Sequence, residues 1–405
     1  MSNDNNIKQK RFYKIITSLW LGSALSIIGD TTIYTVLPLY VGVVGISLSD
    51  AGMLMGINRV VRLITNGVFG YLVDFWNQKK IFAASLFLGA VSYFLFGFCS
   101  GFTILFIARI IWGIAWSGII ISGTTILIEE TTVENRGKLV GVHYFWISVG
   151  SVLGSIVGGS LSDKIGFQAT MAVNGFFALA GVFFVLVFLP DIETHKKEKI
   201  SFANLKKNYV IKLDLTLLLY AVIFGISRFA FAFIASLISV ITKEKISPFM
   251  VFIGISTLTG LIGGTRTGIE MCFNPIAGFL ADKLKNRIYV VIIVLLFGVA
   301  GLFVITLTPP YMTLLGLLLC TIPSGSIPVL VRTLVGDYAD GKDNQGRSMG
   351  FVSTVGDLAG AIAPMFAFRL FNYISLDAIY RCLSVMMLLL VAAIIVFIRK
   401  RVAQQ

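Results

Sequence analysis

Twelve apolar runs follow one another along the chain, at 14–42, 48–73, 81–99, 103–128, 139–162, 167–190, 213–242, 250–281, 288–308, 311–336, 348–371 and 377–398. A helix rises 1.5 Å per residue and the hydrocarbon core of a bilayer is about 30 Å thick, so each run reaches or nearly reaches across it. Strands of a membrane barrel would alternate apolar and polar residues over about 10 positions. These runs are apolar on every face, so they predict helices. Composition agrees: 57% of the 405 residues are hydrophobic and 13% are charged, where soluble domains carry about 25% charged residues. A soluble enzyme with one membrane anchor is excluded. The expected fold class is an all-α membrane protein of twelve transmembrane helices.

The net charge of +13 invites a nucleic-acid partner, but its distribution gives another reading. If the N-terminus is cytoplasmic, that side receives twenty-two Lys and Arg residues and the opposite side five, namely Lys164, Lys243, Lys245, Arg369 and Arg381. Such asymmetry orients a membrane protein. It predicts an integral protein of the plasma (inner) membrane with both termini cytoplasmic, and no nucleic-acid partner. The polar, basic segment from Met1 to Lys14 is followed by no small-residue cleavage site, so the first run reads as a retained helix. Cys99, Cys272, Cys320 and Cys382 form no CxxC pair, and His143 and His195 lie far apart. Neither a metal nor a cofactor is expected. The longest polar stretch, Asp191 to Lys212, is rich in Lys. It reads as a cytoplasmic linker lying on anionic lipid headgroups, dividing the chain into six-helix bundles at 1–190 and 213–405.

The two halves repeat each other. Asn66, Gly70, Leu72 and Asp74 return as Asn274, Gly278, Leu280 and Asp282, always 208 residues on. Basic residues follow both times, Lys79 and Lys80 in one half and Lys283, Lys285 and Arg287 in the other. Asn135, Gly137 and Gly141 match Asn344, Gly346 and Gly350 at an offset of 209. Internal duplication of a helical membrane protein points to a transporter, because one half can rock against the other. Asp74 and Asp282 either bond the positive N-terminus of a neighbouring helix and hold a conformation shut, or are solvated loop acids. Gly150, Gly154 and Gly158 line one helix face and allow close approach of a second backbone.

On these residues the chain resembles the major facilitator superfamily over its whole length. Gly70-Tyr-Leu-Val-Asp74 with Lys79-Lys80 is similar to that family's loop 2–3 motif, echoed from Gly278 to Arg287. Phe75 and Asn77 stand where the family usually has Arg and Gly. Arg109-Ile-Ile-Trp-Gly113 resembles the fourth-helix Arg-x3-Gly motif, and Gly150 to Gly159 resembles the fifth-helix antiporter motif with Ser155 in place of its Pro. The resemblance implies two pseudo-symmetric six-helix bundles and alternating access with no enzymatic chemistry. It also implies a gating set of Gly70, Asp74, Arg109, Gly278 and Asp282, with Arg109 linked to proton movement, and export in the manner of drug/proton antiporters.

Charges inside the spans point to a site. Arg59, Arg62, Arg109, Arg228, Arg266 and Arg332 fall within runs, as do Asp30, Glu270 and Asp357. A charge at mid-bilayer costs about 2.5–3.5 kcal/mol on insertion scales, so such residues face a cavity or a partner. The helical rise puts Arg59, Arg62, Arg228, Arg266, Asp30 and Glu270 roughly 18–24 Å from the cytoplasmic ends of four helices. Arg266 and Glu270 are placed to pair at i, i+4, and Asp30 lies at the depth of Arg59. Arg332 sits near a cytoplasmic end, where a long side chain snorkels to the headgroups. Four arginines against two acids attract an anionic group, and Arg suits bidentate carboxylate or phosphate contacts. Arg59, Arg62, Arg228 and Arg266 are therefore the expected substrate-binding residues. Asp30, Glu270 and Asp357 are the expected proton carriers, since a carboxyl in low dielectric holds a proton more readily than one in water. Trp112, Trp116 and Trp146 either line the cavity or pack.

The expectation is a secondary active transporter, acting as a monomer, that exports a small organic compound, anionic or amphipathic, in exchange for protons. Uptake or exchange of an organic or inorganic anion is the alternative, and a non-transporting receptor on the same scaffold is a third reading. No GxxxxGK[ST] or HExxH pattern is present, which argues against ATP-driven pumping and against zinc-protease chemistry.

Overall fold

Apolar runs punctuated by Gly, Asn and Pro become twelve long helices in the computed structural model, which describes residues 2–131, 133–191, 214–250, 252–283, 287–307, 309–339 and 345–402. They are α1 (Ser2–Val36), α2 (Leu48–Phe75), α3 (Gln78–Phe98), α4 (Phe102–Glu129), α5 (Val133–Ile165) and α6 (Phe167–Phe188). The second set is α7 (Leu215–Ser236), α8 (Ile255–Lys283), α9 (Arg287–Val304), α10 (Pro310–Ala339), α11 (Gln345–Phe371) and α12 (Leu376–Val402). The linker expected over 191–212 lies outside the described residues except for Asp191.

Local chemistry sets the helix ends. Ser47 and Asp50 form a reciprocal capping box at the start of α2, Asn77 caps α3 and Asp214 caps α7. Gly101 and Gly166, with φ of +91° and +82°, make the sharp entries to α4 and α6, a backbone region in which a Cβ is strained. Two runs break earlier than expected. The run 14–42 leaves the α-helix at Val36 because Pro38 follows, and continues as a 3-10 turn over Leu37–Leu39. The run 213–242 ends its regular helix at Ser236 and proceeds through short turns to Phe249.

Among the described residues ten of the twelve helices are apolar enough to be candidate spans on that ground alone. The two that are not, α2 and α8, carry Arg59, Arg62, Arg266 and Glu270. They occupy the same place in each half. Shifting α2 by 208 lands it on 256–283 and shifting α4 lands it on 310–337, against observed bounds of 255–283 and 310–339. Packing repeats as well: α1 lies on α5 as α7 lies on α11, α3 on α4 as α9 on α10, and α3 on α6 as α9 on α12. The offset read from Asn66, Gly70, Leu72 and Asp74 thus holds for whole helices.

Two compact units result, one of Met1–Glu198 with Ile253–Gly264, the other of Lys199–Phe252 with Thr265–Gln405. The first three turns of α8 group with the first of these units. Close contact explains this. A methyl group added at Gly159 would stand 2.3 Å from the Ser256 carbonyl oxygen, and one at Gly260 would stand 2.3 Å from that of Ser155. Asp163 accepts hydrogen bonds from the backbone N–H groups of Ser256 at 3.2 Å and Thr257 at 2.6 Å, and from the Thr257 hydroxyl at 2.6 Å. It thus answers the unpaired donors of that helix start. Asp163→Ala should cost about 1 kcal/mol, read as a melting point a few degrees lower in detergent, whereas Asp163→Asn should lose less.

The glycine face of α5 is closed against α1. A methyl at Gly150 would meet the Ala24 carbonyl oxygen at 2.4 Å, and one at Gly154 would meet Thr31 Oγ1 at 2.0 Å and the Ile28 carbonyl oxygen at 2.4 Å. Thr32 completes the seam by donating to the Gly154 carbonyl at 2.9 Å.

Candidate functional site

Arg109, eight residues into α4, is fully buried and donates from Nη1 to Asp30 Oδ1 at 2.6 Å. Its Nε donates to the Leu54 carbonyl of α2 at 2.9 Å. One guanidinium therefore ties α4 to α1 and α2. Burying such a pair is tolerable only when geometry is good and hydrogen bonds take up the remaining capacity. Here the Nη2 atom has no hydrogen-bond partner among the described residues, and the Tyr34 ring lies against the guanidinium, its centre 5.2 Å from Arg109 Cζ. Arg59 Cζ stands 5.4 Å from the same ring centre. Tyr34 is one helical turn beyond Asp30, so both project from the same side of α1. Its hydroxyl bonds the Met55 carbonyl and, at 3.1 Å, Asn58 Oδ1.

Asp30 is also held through its backbone. The Tyr93 hydroxyl of α3 accepts from the Asp30 N–H at 3.1 Å and donates to the Ser26 carbonyl at 2.5 Å, so it sits in the Ser26–Asp30 rung of α1. Gly29 makes room, since a methyl there would meet the Tyr93 ring at 2.6 Å. Trp112 packs on Tyr93 with ring centres 5.0 Å apart and is fully buried, while Trp146 stacks on Trp20. Both tryptophans pack inside the first unit.

The sequence paired Asp30 with Arg59 by depth, and this is corrected: its partner is Arg109. Depth was counted from one end of each helix. Asp30 lies only six residues before the end of α1 and Arg109 seven after the start of α4, so both are about 9–11 Å from those ends and a guanidinium spans the remainder. Arg59 reaches the same cluster through Tyr34. Tyr34, Tyr93 and Asn58 escaped sequence reading because uncharged aromatics and a single amide look like ordinary span residues; the i, i+4 spacing of Asp30 and Tyr34 was the available signal.

In the second unit the expected α8 pair is present, with Arg266 Nη2 to Glu270 Oε1 at 2.5 Å and Arg266 Nη2 to Ser324 Oγ at 3.1 Å. Gly325 lets the two backbones meet, since a methyl there would stand 2.6 Å from the Glu270 carbonyl oxygen. Through the offset of 208, Arg266 and Glu270 correspond to Asn58 and Arg62. The duplication keeps polar residues at these two places while changing their identity. Arg109 corresponds to Leu317 at the same offset, so the duplication does not repeat this arginine in the second unit.

A sequence profile of the Major Facilitator Superfamily matches residues 19–364 and 256–404. The chain belongs to the Major Facilitator Superfamily. It is accordingly an integral membrane transporter and not an enzyme. Relatives in the superfamily include the quinolone resistance protein NorA of Staphylococcus aureus (strain MRSA252), 24% identical over 96% of this chain and 97% of that one. An uncharacterized transporter of Buchnera aphidicola subsp. Schizaphis graminum is 24% identical over 76% of this chain and 74% of its own. The same fold is seen in a point mutant of the nucleoside transporter NupG, with a TM-score of 0.78 and 14% identity over 94% of this chain and 99% of that chain. A peptide transporter POT in complex with sulfate gives 0.75 and 12% identity over 96% of this chain and 94% of that one.

Other residues expected from the superfamily resemblance and from charge are placed as follows. Among the described residues, nothing stands within 4 Å of a methyl added at Gly70, and Gly278 has only Val329 Cγ1 near it at 3.9 Å, so none of them approaches closely enough to demand glycine at either. Asp74 is half-buried near the end of α2. The side chain of Asp282 lies outside the described residues. Arg62 and Arg228 are half-buried with their Nε atoms inside the protein. Asp357 is exposed on α11, and Arg332 is exposed towards the end of α10, as a snorkelling residue would be.

Proposed function

We propose that this transporter exports a small organic compound in exchange for protons, with Asp30 as the proton-carrying carboxyl and Arg109 as its charge partner. The observation that carries this reading is the buried Asp30–Arg109 pair at 2.6 Å on two membrane-spanning helices. A proton arriving from water on the Asp30 carboxylate removes the negative charge that offsets Arg109 and weakens the tie between α1 and α4. The switch is then a local electrostatic event acting on helix packing. Similarity to a quinolone resistance protein along almost the whole of both chains supports the export direction. Glu270, held by Arg266, is a second candidate carrier, and the excess of Lys and Arg on one side supports cytoplasmic termini.

A second reading rests on charge. Arg59 and Arg109 share the Tyr34 ring, and Asp30 is ion-paired with Arg109 beside it. Protonating Asp30 makes this corner more positive, so an anion binds more tightly when the proton is present. Proton and anion would then travel together, which is uptake. A cationic compound binds better without the proton, which is the competition an exchanger needs. Everted membrane vesicles with an acidified lumen separate these readings. The export reading predicts that a fluorescent quinolone accumulates inside. The uptake reading predicts that a labelled organic anion leaves with protons. Bound ligand raising the melting point with no flux of either would replace both with a receptor.

A further inference from the structure

The Tyr34 ring meets two guanidiniums, and one nitrogen of Arg109 is left without a hydrogen-bond partner among the described residues. Arg109 places Nη1 on Asp30 and Nε on the Leu54 carbonyl, while its buried Nη2 has no partner among the described residues. The face of an aromatic ring carries negative charge and attracts a cation within about 6 Å, more strongly where water is excluded. Arg109 Cζ at 5.2 Å and Arg59 Cζ at 5.4 Å both satisfy this. Tyr34 is not free to move away, because its hydroxyl is bonded to the Met55 carbonyl and to Asn58, both on α2. Arg59 is on that same helix, one residue beyond Asn58.

We propose that Tyr34 is a positioning residue of the coupling site, whose ring holds Arg109 and Arg59 together so that the charge state of Asp30 is transmitted from α4 to α2. With Asp30 ionised, Arg109 is held between carboxylate and ring. When a proton from water takes the carboxylate, the ring is the negative surface that remains to Arg109, and Arg59 must share it. The two cations then compete for one ring. The balance between them moves with the proton, and Arg59, half-buried on α2, carries the change to the substrate. The other groups that face this point are Tyr93 from α3 on the Asp30 backbone, while α5 and α6 present the Gly154 carbonyl and Asn174 to the adjacent Thr32. Among the described residues, no carboxylate other than Asp30 is bonded to either Arg109 or Tyr34.

This inference rests on the coupling reading of Asp30, so the experiment carries an arm for each. Full-length protein in proteoliposomes is assayed with a fluorescent quinolone, once for flux driven by a proton gradient and once for gradient-free counterflow. Tyr34→Phe keeps the ring and should retain both. Tyr34→Leu should lose about five- to tenfold of driven flux while counterflow stays within about twofold of wild type. Phenylalanines bearing one, two and three fluorine atoms at position 34 drain the ring face with little change of shape. Driven flux should fall stepwise along that series, an effect that mere packing would not produce; this series also decides the matter should the leucine variant fail to fold. A flat fluorine series, or a leucine variant that loses driven flux and counterflow in equal proportion, overturns the role of Tyr34. If Asp30→Asn retains driven flux, the coupling reading itself falls, and the proposal for Tyr34 with it. Asp30→Asn losing driven flux beside an unaffected fluorine series sinks Tyr34 alone.

Discussion

Arg109→Leu is expected to destabilise the protein by about 3–5 kcal/mol, the range for breaking one side of a buried ion pair. The substitution leaves the Asp30 carboxylate, only 12% exposed, without its cation, and the Leu54 carbonyl without its donor. The penalty comes from the uncompensated charge more than from the lost attraction, and this gives a second expectation. Adding Asp30→Asn to Arg109→Leu removes the stranded charge and should recover more than half of the loss. Thermal unfolding of the two single variants and the double variant in detergent measures the interaction directly. Equal melting points for Arg109→Leu and wild type would mean that the pair is not the tie among α1, α2 and α4 described above.

Gly154→Leu should be as damaging, for a steric reason. Even the first carbon of a side chain there would stand 2.0 Å from Thr31 Oγ1 and 2.4 Å from the Ile28 carbonyl oxygen. A hydroxyl can rotate aside, but a helix backbone cannot give without parting α1 from α5. Overpacking of a tight interior costs about 1–3 kcal/mol and occasionally more, and a leucine at this seam should leave little folded protein in the membrane. Gly141→Ala on the same helix is the control, since among the described residues nothing lies within 4 Å of its would-be methyl, and its yield should match wild type. The glycines of the antiporter-like stretch thus have a packing reason that is independent of any transport step.

Most of the fold was legible because membrane helices announce themselves by length and continuity of apolar residues. The duplication was legible because Asn66 to Asp74 and Asn274 to Asp282 kept their spacing. Helix ends were less so: Pro38 stops α1 inside an unbroken apolar run, and hydropathy alone is blind to that. The pairing of the intramembrane charges was read in part. Arg266 and Glu270 were found because one helix supplies both, at a spacing that local geometry fixes. Asp30 was recognised as a charge within a span but given the wrong arginine, because pairing across helices depends on tilt and side-chain reach that a count of residues does not contain. Tyr34 and Tyr93 were invisible for a different reason. Their part in the site comes from where their hydroxyls and ring faces are aimed, and thirteen tyrosines in an apolar chain offer no way to single out two. The loop 2–3 glycines show the converse case, in which a repeated motif was plain in the sequence while Gly70 and Gly278 make no tight contact among the described residues that would explain it.

Asp30→Asn tests the central claim most directly. The variant keeps the shape of the side chain and still offers Arg109 an oxygen, but cannot take up and release a proton. In everted vesicles with an acid lumen, the quinolone accumulation that the export proposal expects should fall at least about tenfold, a loss within the range of typical coupling free energies. Counterflow in the absence of a gradient should stay close to wild type. Accumulation undiminished by the substitution would contradict the assignment of Asp30 as the coupling carboxyl.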